Sequence, residues 1–257
     1  MAKVDLEFIA RDTGIAVGRG DLIIIIDALR TSTSIVTAFA NGAKSVIPTE
    51  TLKEAYQLHG EHPDYLLVGE RRGLKPRGFD LGNSPSKLTP EQIQGKNLII
   101  TTTNGTIALT KSKQAKWVLI GAFLNAGAIA KQAVEISDKN GIGVSFVLAG
   151  EEDQFSLDDF VCAGAIAERM PENSVYFSDK TLAALLAFKQ IKNNLCENIA
   201  KGKHAKQLVE LGFRRDIEFS CQIDVYKAIP LYKDARIRIL GQRIQASARA
   251  QKISFHN

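Results

Sequence analysis

The chain has 257 residues, of which 45% are hydrophobic and 24% are charged, with a net charge of +5 and a pI near 9.0. These values are typical of a soluble globular protein with a substantial core, and no apolar run approaches the length of about 18 residues that a membrane span needs. Early acidic residues without an apolar signal segment predict a cytoplasmic protein, and the lack of a basic run with interleaved aromatic residues argues against nucleic-acid binding.

Short apolar runs, mostly of β-branched residues, recur along the N-terminal part of the chain and predict strands that are buried on both faces. They cover residues 4–9, 22–26, 45–47, 65–68, 97–101, 117–120 and 143–148. Helical patterns lie between several of them, at residues 33–41, 51–59 and 125–138. This alternation predicts an α/β fold with a mixed or parallel sheet flanked by helices.

Helical patterns dominate the rest of the chain. Helices are predicted at residues 156–170, 178–193 and 204–211, a strand within 219–231, and a terminal helix at 236–251. We treat residues 1–257 as a single α/β unit. A boundary near residues 121–142 is conceivable, although no linker rich in proline or serine marks it, and it would divide the unit into two lobes with the site between them.

Charged and hydroxyl residues follow four of the predicted strands, where open α/β sheets bind their ligands. Asp27 directly follows four consecutive isoleucines, and Arg30 directly precedes four hydroxyl residues. A buried acid at a strand end needs a cation or hydrogen-bond donors. Asp27 is therefore either a Mg²⁺ ligand, with Arg30 on a phosphate or carboxylate, or a helix cap with Arg30 as its ion-pair partner.

The second segment begins at Glu70 and Arg71 and continues as a loop rich in glycine and proline. Long loops that are dense in side-chain donors are usually functional or disordered, and Phe79 within this one indicates packing. Arginine suits bidentate recognition of phosphate, sulfonate or carboxylate. We therefore predict a binding loop that includes Arg77, Asn83 and Ser84.

The third and fourth segments follow the predicted strands at 97–101 and 143–148. Residues 101–106 read TTTNGT, which predicts a strand-to-helix turn. Such a turn either directs backbone N–H groups at a phosphate or forms an ordinary helix cap. Residues 151–159 hold five carboxylates, more than capping requires, so Asp158 or Asp159 is a candidate to touch a metal. His204 stands at a predicted helix start, where it either caps the helix or contacts an anion.

In order and spacing, these segments resemble the 2-phosphosulfolactate phosphatase family over nearly the whole chain. The matching stretches are residues 27–33, 69–71, 78–85, 101–106 and 159–165, with a C-terminal stretch that includes residues 211–213, Asp216, Cys221 and Asp224. Two departures bear on the site, since Arg72 adds a charge and Asp158 keeps the charge but shortens the reach of the side chain. Arg72 stands where the family usually has glycine, and Asp158 stands where it commonly has glutamate.

The resemblance implies Mg²⁺-dependent hydrolysis of (2R)-O-phospho-3-sulfolactate to 3-sulfolactate and phosphate, a step toward coenzyme M. The expected metal ligands are Asp27, Glu70 and Asp159, and the expected catalytic residues are Asp27, Arg30, Glu70 and Arg71. Substrate binding is assigned to Thr31, Ser32, Arg77, Asn83, Ser84, Thr103, Asn104, Gly105 and Thr106. The expected partner is a small anionic phospho-acid, which fits the basic net charge. The sequence leaves the oligomeric state undecided, with a dimer as the expected form of any homo-oligomer. The alternatives are a phosphatase of another small phospho-acid and a non-catalytic anion-binding module.

Overall fold

The computed structural model describes residues 1–241, in which ten strands form one mixed sheet flanked by helices. The strands are β1 (Ala2–Glu7), β2 (Leu22–Ile26), β3 (Ser45–Thr49), β4 (Leu66–Gly69), β5 (Asn97–Thr101), β6 (Val118–Gly121), β7 (Val144–Leu148), β8 (Val175–Phe177), β9 (Pro230–Lys233) and β10 (Arg236–Ile239). Their order in the sheet is β4-β5-β3-β10-β9-β6-β2-β7-β1-β8. The predicted α/β class is confirmed.

The α-helices of this part of the chain lie on both faces of the sheet and in the C-terminal region. They are α1 (Thr13–Arg19), α2 (Thr31–Ala40), α3 (Leu52–Glu61), α4 (Pro90–Ile93), α5 (Gly105–Lys111), α6 (Ala126–Asn140), α7 (Leu157–Ala167), α8 (Asp179–Ile191), α9 (Leu195–Ile199), α10 (Lys203–Glu210) and α11 (Arg214–Ser220). None of them combines the length and the apolar character needed to cross a membrane.

The sheet consists of two parallel halves that an antiparallel hairpin joins. The small half contains β3, β5 and β4, and the large half contains β6, β2, β7, β1 and β8. The hairpin β9–β10 pairs antiparallel to β3 on one side and to β6 on the other. The two halves therefore run in opposite directions. The chain passes from the large half to the small half before β3 and returns after β5. The boundary considered near residues 121–142 therefore falls within the large half.

The central strand β2 contributes to both hydrophobic layers. All five of its residues are buried, and because strand side chains alternate, Leu22, Ile24 and Ile26 join one core cluster while Ile23 and Ile25 join the other. Burying an isoleucine side chain contributes about 1.5–3 kcal/mol. An apolar run without alternation is therefore the pattern that this position in the sheet requires.

Helices α7 and α8 approach each other closely at Gly164. An added Cβ there would overlap the carbonyl oxygen of Ala184 and lie 2.9 Å from Cβ of Phe188. Gly164→Ala is therefore expected to lower the free energy of unfolding by about 1–3 kcal/mol, as overpacked cores do. The matched control is Gly18→Ala on α1, where no atom lies within 4 Å and alanine stabilises a helix by up to about 1 kcal/mol. Equal urea midpoints for the two variants would contradict the close approach.

The C-terminal expectations need correction. The predicted terminal helix at residues 236–251 is wrong at its start, because Arg236–Ile239 is strand β10, and residues 242–251 lie outside the described part. Its sequence Arg-Ile-Arg-Ile alternates with the period of a strand, and Asp234 and Ala235 take the positive φ values of a tight hairpin turn. The strand predicted within residues 219–231 begins only at Pro230.

Candidate active site

A cavity of about 400 Å³ lies where the carboxyl ends of both half-sheets meet. Asp27 and Glu151 follow β2 and β7 of the large half, whereas Glu70 and Thr103 follow β4 and β5 of the small half. In a flat sheet, halves of opposite direction would present these ends at opposite edges. The sheet therefore turns at the hairpin, so that the two sets of strand ends face each other.

Helix α10 closes one side of this cavity. Its lining residues are His204, Gln207, Leu208 and Glu210, followed by Leu211. From the sequence, only His204 was a candidate for contact with an anion. The other residues belong to an amphipathic helix, a pattern that does not distinguish a surface helix from a cavity wall.

Asp27 lies at the buried end of β2 and caps helix α2. Its Oδ1 accepts the backbone N–H of Thr31 at 3.0 Å, and its own N–H donates to Oγ of Ser32 at 3.0 Å. Its Oδ2 lies against Gly105, where an added Cβ would overlap it. The capping interpretation therefore applies, and the same carboxylate lines the cavity.

The surroundings of Asp27 disfavour its charge. Burial raises the pKa of Asp27, the nearby Asp158 carboxylate raises it further, and hydrogen bonds from Thr31 and the charge of His204 oppose the rise. Without a further positive charge nearby, the ionised carboxylate of Asp27 therefore lowers the stability of the folded protein.

Arg30 lines the cavity, but its guanidinium is already bound by protein groups. Nη1 donates to Oδ2 of Asp216 at 2.8 Å, Nη2 donates to the carbonyl of Gly73 at 2.7 Å, and Cζ lies 4.3 Å from the centre of the Phe213 ring. The ion-pair partner of Arg30 is therefore Asp216, not Asp27 as one interpretation of the sequence had it.

Asp216 connects helix α11 to the loop that follows β4. Its Oδ1 accepts hydrogen bonds from the hydroxyls of Ser84 at 2.6 Å and Ser86 at 3.0 Å, while Oδ2 binds Arg30. The resemblance included Asp216 without assigning it a role. Its partners lie 132, 130 and 186 residues away in the chain, so no local pattern could reveal them.

Glu70 joins two turns of the small half-sheet. Its Oε1 accepts the N–H of Thr103 and its Oε2 accepts the N–H of Gly73, both at 2.7 Å. Arg71 does not line the cavity: it donates to the carbonyl of Glu50 at 3.0 Å and to Oγ1 of Thr101 at 2.7 Å. Burial lowers the pKa of Arg71, against the favourable charge of Glu70. The arginine of this turn that does line the cavity is Arg72.

The turn after β5 has already used part of its hydrogen-bonding capacity. The N–H of Thr103 binds Glu70, and the N–H of Thr106 donates to Oγ1 of Thr102 at 3.3 Å. By contrast, the buried Oγ1 of Thr103 and Oδ1 of Asn83 lack a hydrogen-bond partner within residues 1–241. Both residues line the cavity, so these two atoms leave unused hydrogen-bonding capacity in its wall.

Asp159 holds two turns of the large half-sheet together. Its oxygens accept the N–H groups of Ala28 at 2.7 Å and Gly150 at 3.0 Å, and it does not line the cavity. Burial raises the pKa of Asp159 well above its usual range, with further contributions from Asp158 and Asp27. Oδ2 of Asp158 is buried and has no hydrogen-bond partner in the described chain, with Nδ1 of His204 4.0 Å away.

The structure brings half of the predicted site residues into the cavity lining. Those that line it are Asp27, Arg30, Thr31, Glu70, Asn83, Thr103 and Asn104; those that do not are Ser32, Arg71, Arg77, Ser84, Gly105, Thr106 and Asp159. Within residues 1–241, no three His, Cys, Asp or Glu side chains are grouped to hold a metal ion. Asp27, Glu70 and Asp159 are thus not gathered as one three-ligand set, and their common metal stays a prediction.

The charges that line the cavity are predominantly negative. The carboxylates are Asp27, Glu70, Glu151, Glu152 and Glu210, and the basic side chains are Arg30, Arg72 and His204. Asp216 already neutralises Arg30. An anion that enters this cavity therefore needs positive charge beyond what the described side chains supply.

Comparison with known proteins matches this chain to one family and to several of its members. A family model described as 2-phosphosulpholactate phosphatase matches residues 13–235. A probable 2-phosphosulfolactate phosphatase of Caldanaerobacter subterraneus is 39% identical over 219 residues, covering 84% of this chain and 89% of the relative. One from Clostridium acetobutylicum is 37% identical over 240 residues (91% and 99%), and one from Thermotoga maritima is 39% identical over 207 residues (80% and 87%).

Proposed function

The chain belongs to the 2-phosphosulfolactate phosphatase family, and we propose that it hydrolyses (2R)-O-phospho-3-sulfolactate to 3-sulfolactate and phosphate in the cavity between the half-sheets. One observation carries the proposal. The residues that line the cavity run from Asp27 to Leu211, so all of them fall within the stretch that the family model matches. The protein would then be a phosphoric monoester hydrolase acting on a small phospho-acid.

The buried floor of the cavity suits the phosphoryl group. Asp27, Thr31 and Asn83 are 6%, 2% and 3% exposed, and the unpartnered hydroxyl of Thr103 lies among the lining groups. Phosphoryl transfer depends mainly on positioning and on the stabilisation of charge. In this account, Thr103 donates its hydroxyl proton to a phosphoryl oxygen. Glu70 and Asp159 keep the surrounding turns in place and α10 excludes water.

The donor set of the cavity fits a divalent cation such as Mg²⁺. Carboxylates outnumber the available cations, and Mg²⁺ is usually held by one or two carboxylates together with waters and substrate phosphates. Asp27 and Glu151 are the residues that would hold it, since both line the cavity and are nearly buried, at 6% and 9% exposure, whereas both carboxylate oxygens of Glu70 already accept backbone N–H groups. A cation bound there supplies the charge that neutralises the phosphoryl oxygens.

Removal of divalent cations tests this part of the proposal. Treatment with EDTA is expected to lower phosphate release from phosphosulfolactate by at least about a hundredfold, because the cavity then repels the anion, and added Mg²⁺ should restore it. The measurement is the initial rate before chelation, after chelation and after addition of Mg²⁺. A rate that EDTA leaves unchanged would contradict a role for the cation.

A panel of phosphate esters tests the substrate. Phosphate release is measured from (2R)-O-phospho-3-sulfolactate, 2-phospholactate, phosphoglycolate and p-nitrophenyl phosphate, each with Mg²⁺. The proposal predicts the highest kcat/KM for phosphosulfolactate. A preference for another ester would discard the substrate and keep the hydrolase. Binding of inorganic phosphate without any turnover would instead support the anion-binding module.

A further inference from the structure

Arg72 is a cationic side chain of the cavity that the protein does not bind. The other arginine in the lining, Arg30, is held by Asp216 and by the carbonyl of Gly73. Within residues 1–241, no hydrogen bond or ion pair engages the guanidinium of Arg72, which is exposed. Its five N–H donors therefore remain for a ligand.

The backbone fixes the position from which Arg72 extends. Arg71 and Leu74 exchange N–H to carbonyl hydrogen bonds of 2.9 and 3.2 Å across a two-residue turn, and Oε2 of Glu70 accepts the N–H of Gly73. Within this turn Arg72 has a φ of 52°, in the left-handed region that favours glycine. Replacement of Arg72 by glycine therefore removes the guanidinium while preserving the turn.

Arg72 lies at the mouth of the cavity rather than at its floor. Leu211, which also lines the mouth, is 40% exposed, whereas Asp27 and Asn83 are nearly buried. In phosphosulfolactate the phosphate and the carboxylate share one carbon, and the sulfonate lies one carbon further along. With the phosphoryl group at the floor, the sulfonate is the acidic group that extends toward the mouth.

We propose that Arg72, which stands where the family usually has glycine, adds a contact to the sulfonate of the substrate and thereby strengthens the preference of this chain for phosphate esters that carry a second strong acid at their far end. This inference rests on the proposed function. The planar guanidinium fork matches two oxygens of a sulfonate, and among the basic side chains of the lining it faces no competing acid partner. Arg72 is in this account a specificity-determining residue that takes no part in the cleavage of the ester.

The test compares two substrates that differ only in the sulfonate. Arg72→Gly is expected to raise KM for phosphosulfolactate by about tenfold or more, since a charge-assisted hydrogen bond is lost, and to leave kcat within about twofold. KM for 2-phospholactate, which has a hydrogen in place of the sulfonate, should not change. Arg72→Lys keeps the charge but loses the fork, so its KM should lie between those of the wild type and Arg72→Gly.

The control variant is Lys75→Ala, which removes another exposed cation of the same loop that does not line the cavity. It should leave both KM values unchanged. An unchanged KM of Arg72→Gly for phosphosulfolactate would overturn the proposal, and so would an equal rise for both substrates, which would place the guanidinium on the phosphate or the carboxylate. A wild type that cleaves neither ester refutes the proposed function instead, so the two failures are distinguishable.

Discussion

Asp27→Asn is expected to lower kcat for phosphosulfolactate by about a thousandfold, the order of effect that follows loss of a charged group acting on the transition state. Asparagine retains an oxygen that accepts the N–H of Thr31 and therefore preserves the cap of α2. It lacks the negative charge that would hold a cation beside the phosphoryl group. The expected outcome is a folded protein without activity.

The same substitution should not destabilise the protein in the absence of a divalent cation. Burial and Asp158 raise the pKa of Asp27 in the folded state, so at neutral pH its ionised form costs stability. Asparagine mimics the protonated form and removes this cost. We expect a Tm equal to or above that of the wild type at pH 7. The difference should shrink as the pH falls through the raised pKa of Asp27, where the wild-type carboxyl is protonated in the folded state.

The measurements are kcat by phosphate release and Tm in EDTA between pH 4 and pH 8, a range above the usual Asp pKa of about 3.9, toward which the pKa of Asp27 is raised. The control is Asp64→Asn, which removes an exposed carboxylate outside the cavity and should leave both quantities unchanged. Retention of near-normal kcat by Asp27→Asn would exclude Asp27 from catalysis. A large loss of Tm would show that its charge stabilises the fold.

Asp216→Ala is expected to lower the free energy of unfolding by about 3–5 kcal/mol, because it leaves the charge of Arg30 buried without its partner. Both side chains are only 2% exposed, so water cannot replace the lost carboxylate. The hydroxyls of Ser84 and Ser86 lose their acceptor as well. Since this contact attaches α11 to the loop after β4, activity should fall together with stability.

Urea unfolding measures this effect. The matched control is Glu218→Ala on the same helix, whose exposed pair with Arg214 contributes no more than about 1 kcal/mol. A second variant, Arg30→Met combined with Asp216→Ala, should regain part of the lost stability, because it removes the uncompensated charge. A single Asp216→Ala variant as stable as Glu218→Ala would show that the buried ion pair does not fasten α11.

Local patterns in the sequence predicted much of the sheet and several of the residues that line the cavity. The strand β2 was recognised because four consecutive isoleucines suit a position between two hydrophobic layers. Asp27, Glu70 and Thr103, which line the cavity, were predicted as site residues because each closely follows an apolar strand, and strand ends are where open α/β sheets bind ligands. These signals depend only on neighbours in the chain.

The remaining features depend on contacts between distant parts of the chain. The pairing of Arg30 with Asp216 spans 186 residues, and the reversal of direction between the half-sheets is set by the pairing of β9 and β10. The choice between Arg71 and Arg72 depends on a turn in which Arg72 and Gly73 both have a positive φ. Two adjacent arginines look alike in the sequence, but only the turn determines which of them reaches the cavity.

A crystal structure of the wild-type protein with Mg²⁺ and 3-sulfolactate tests most directly whether this cavity is the site of hydrolysis. We expect the product in the cavity, with its hydroxyl toward Asp27 and Thr103, its sulfonate on Arg72, and a cation beside Asp27 and Glu151. Product and cation bound elsewhere, with the cavity between the half-sheets empty, would contradict the account.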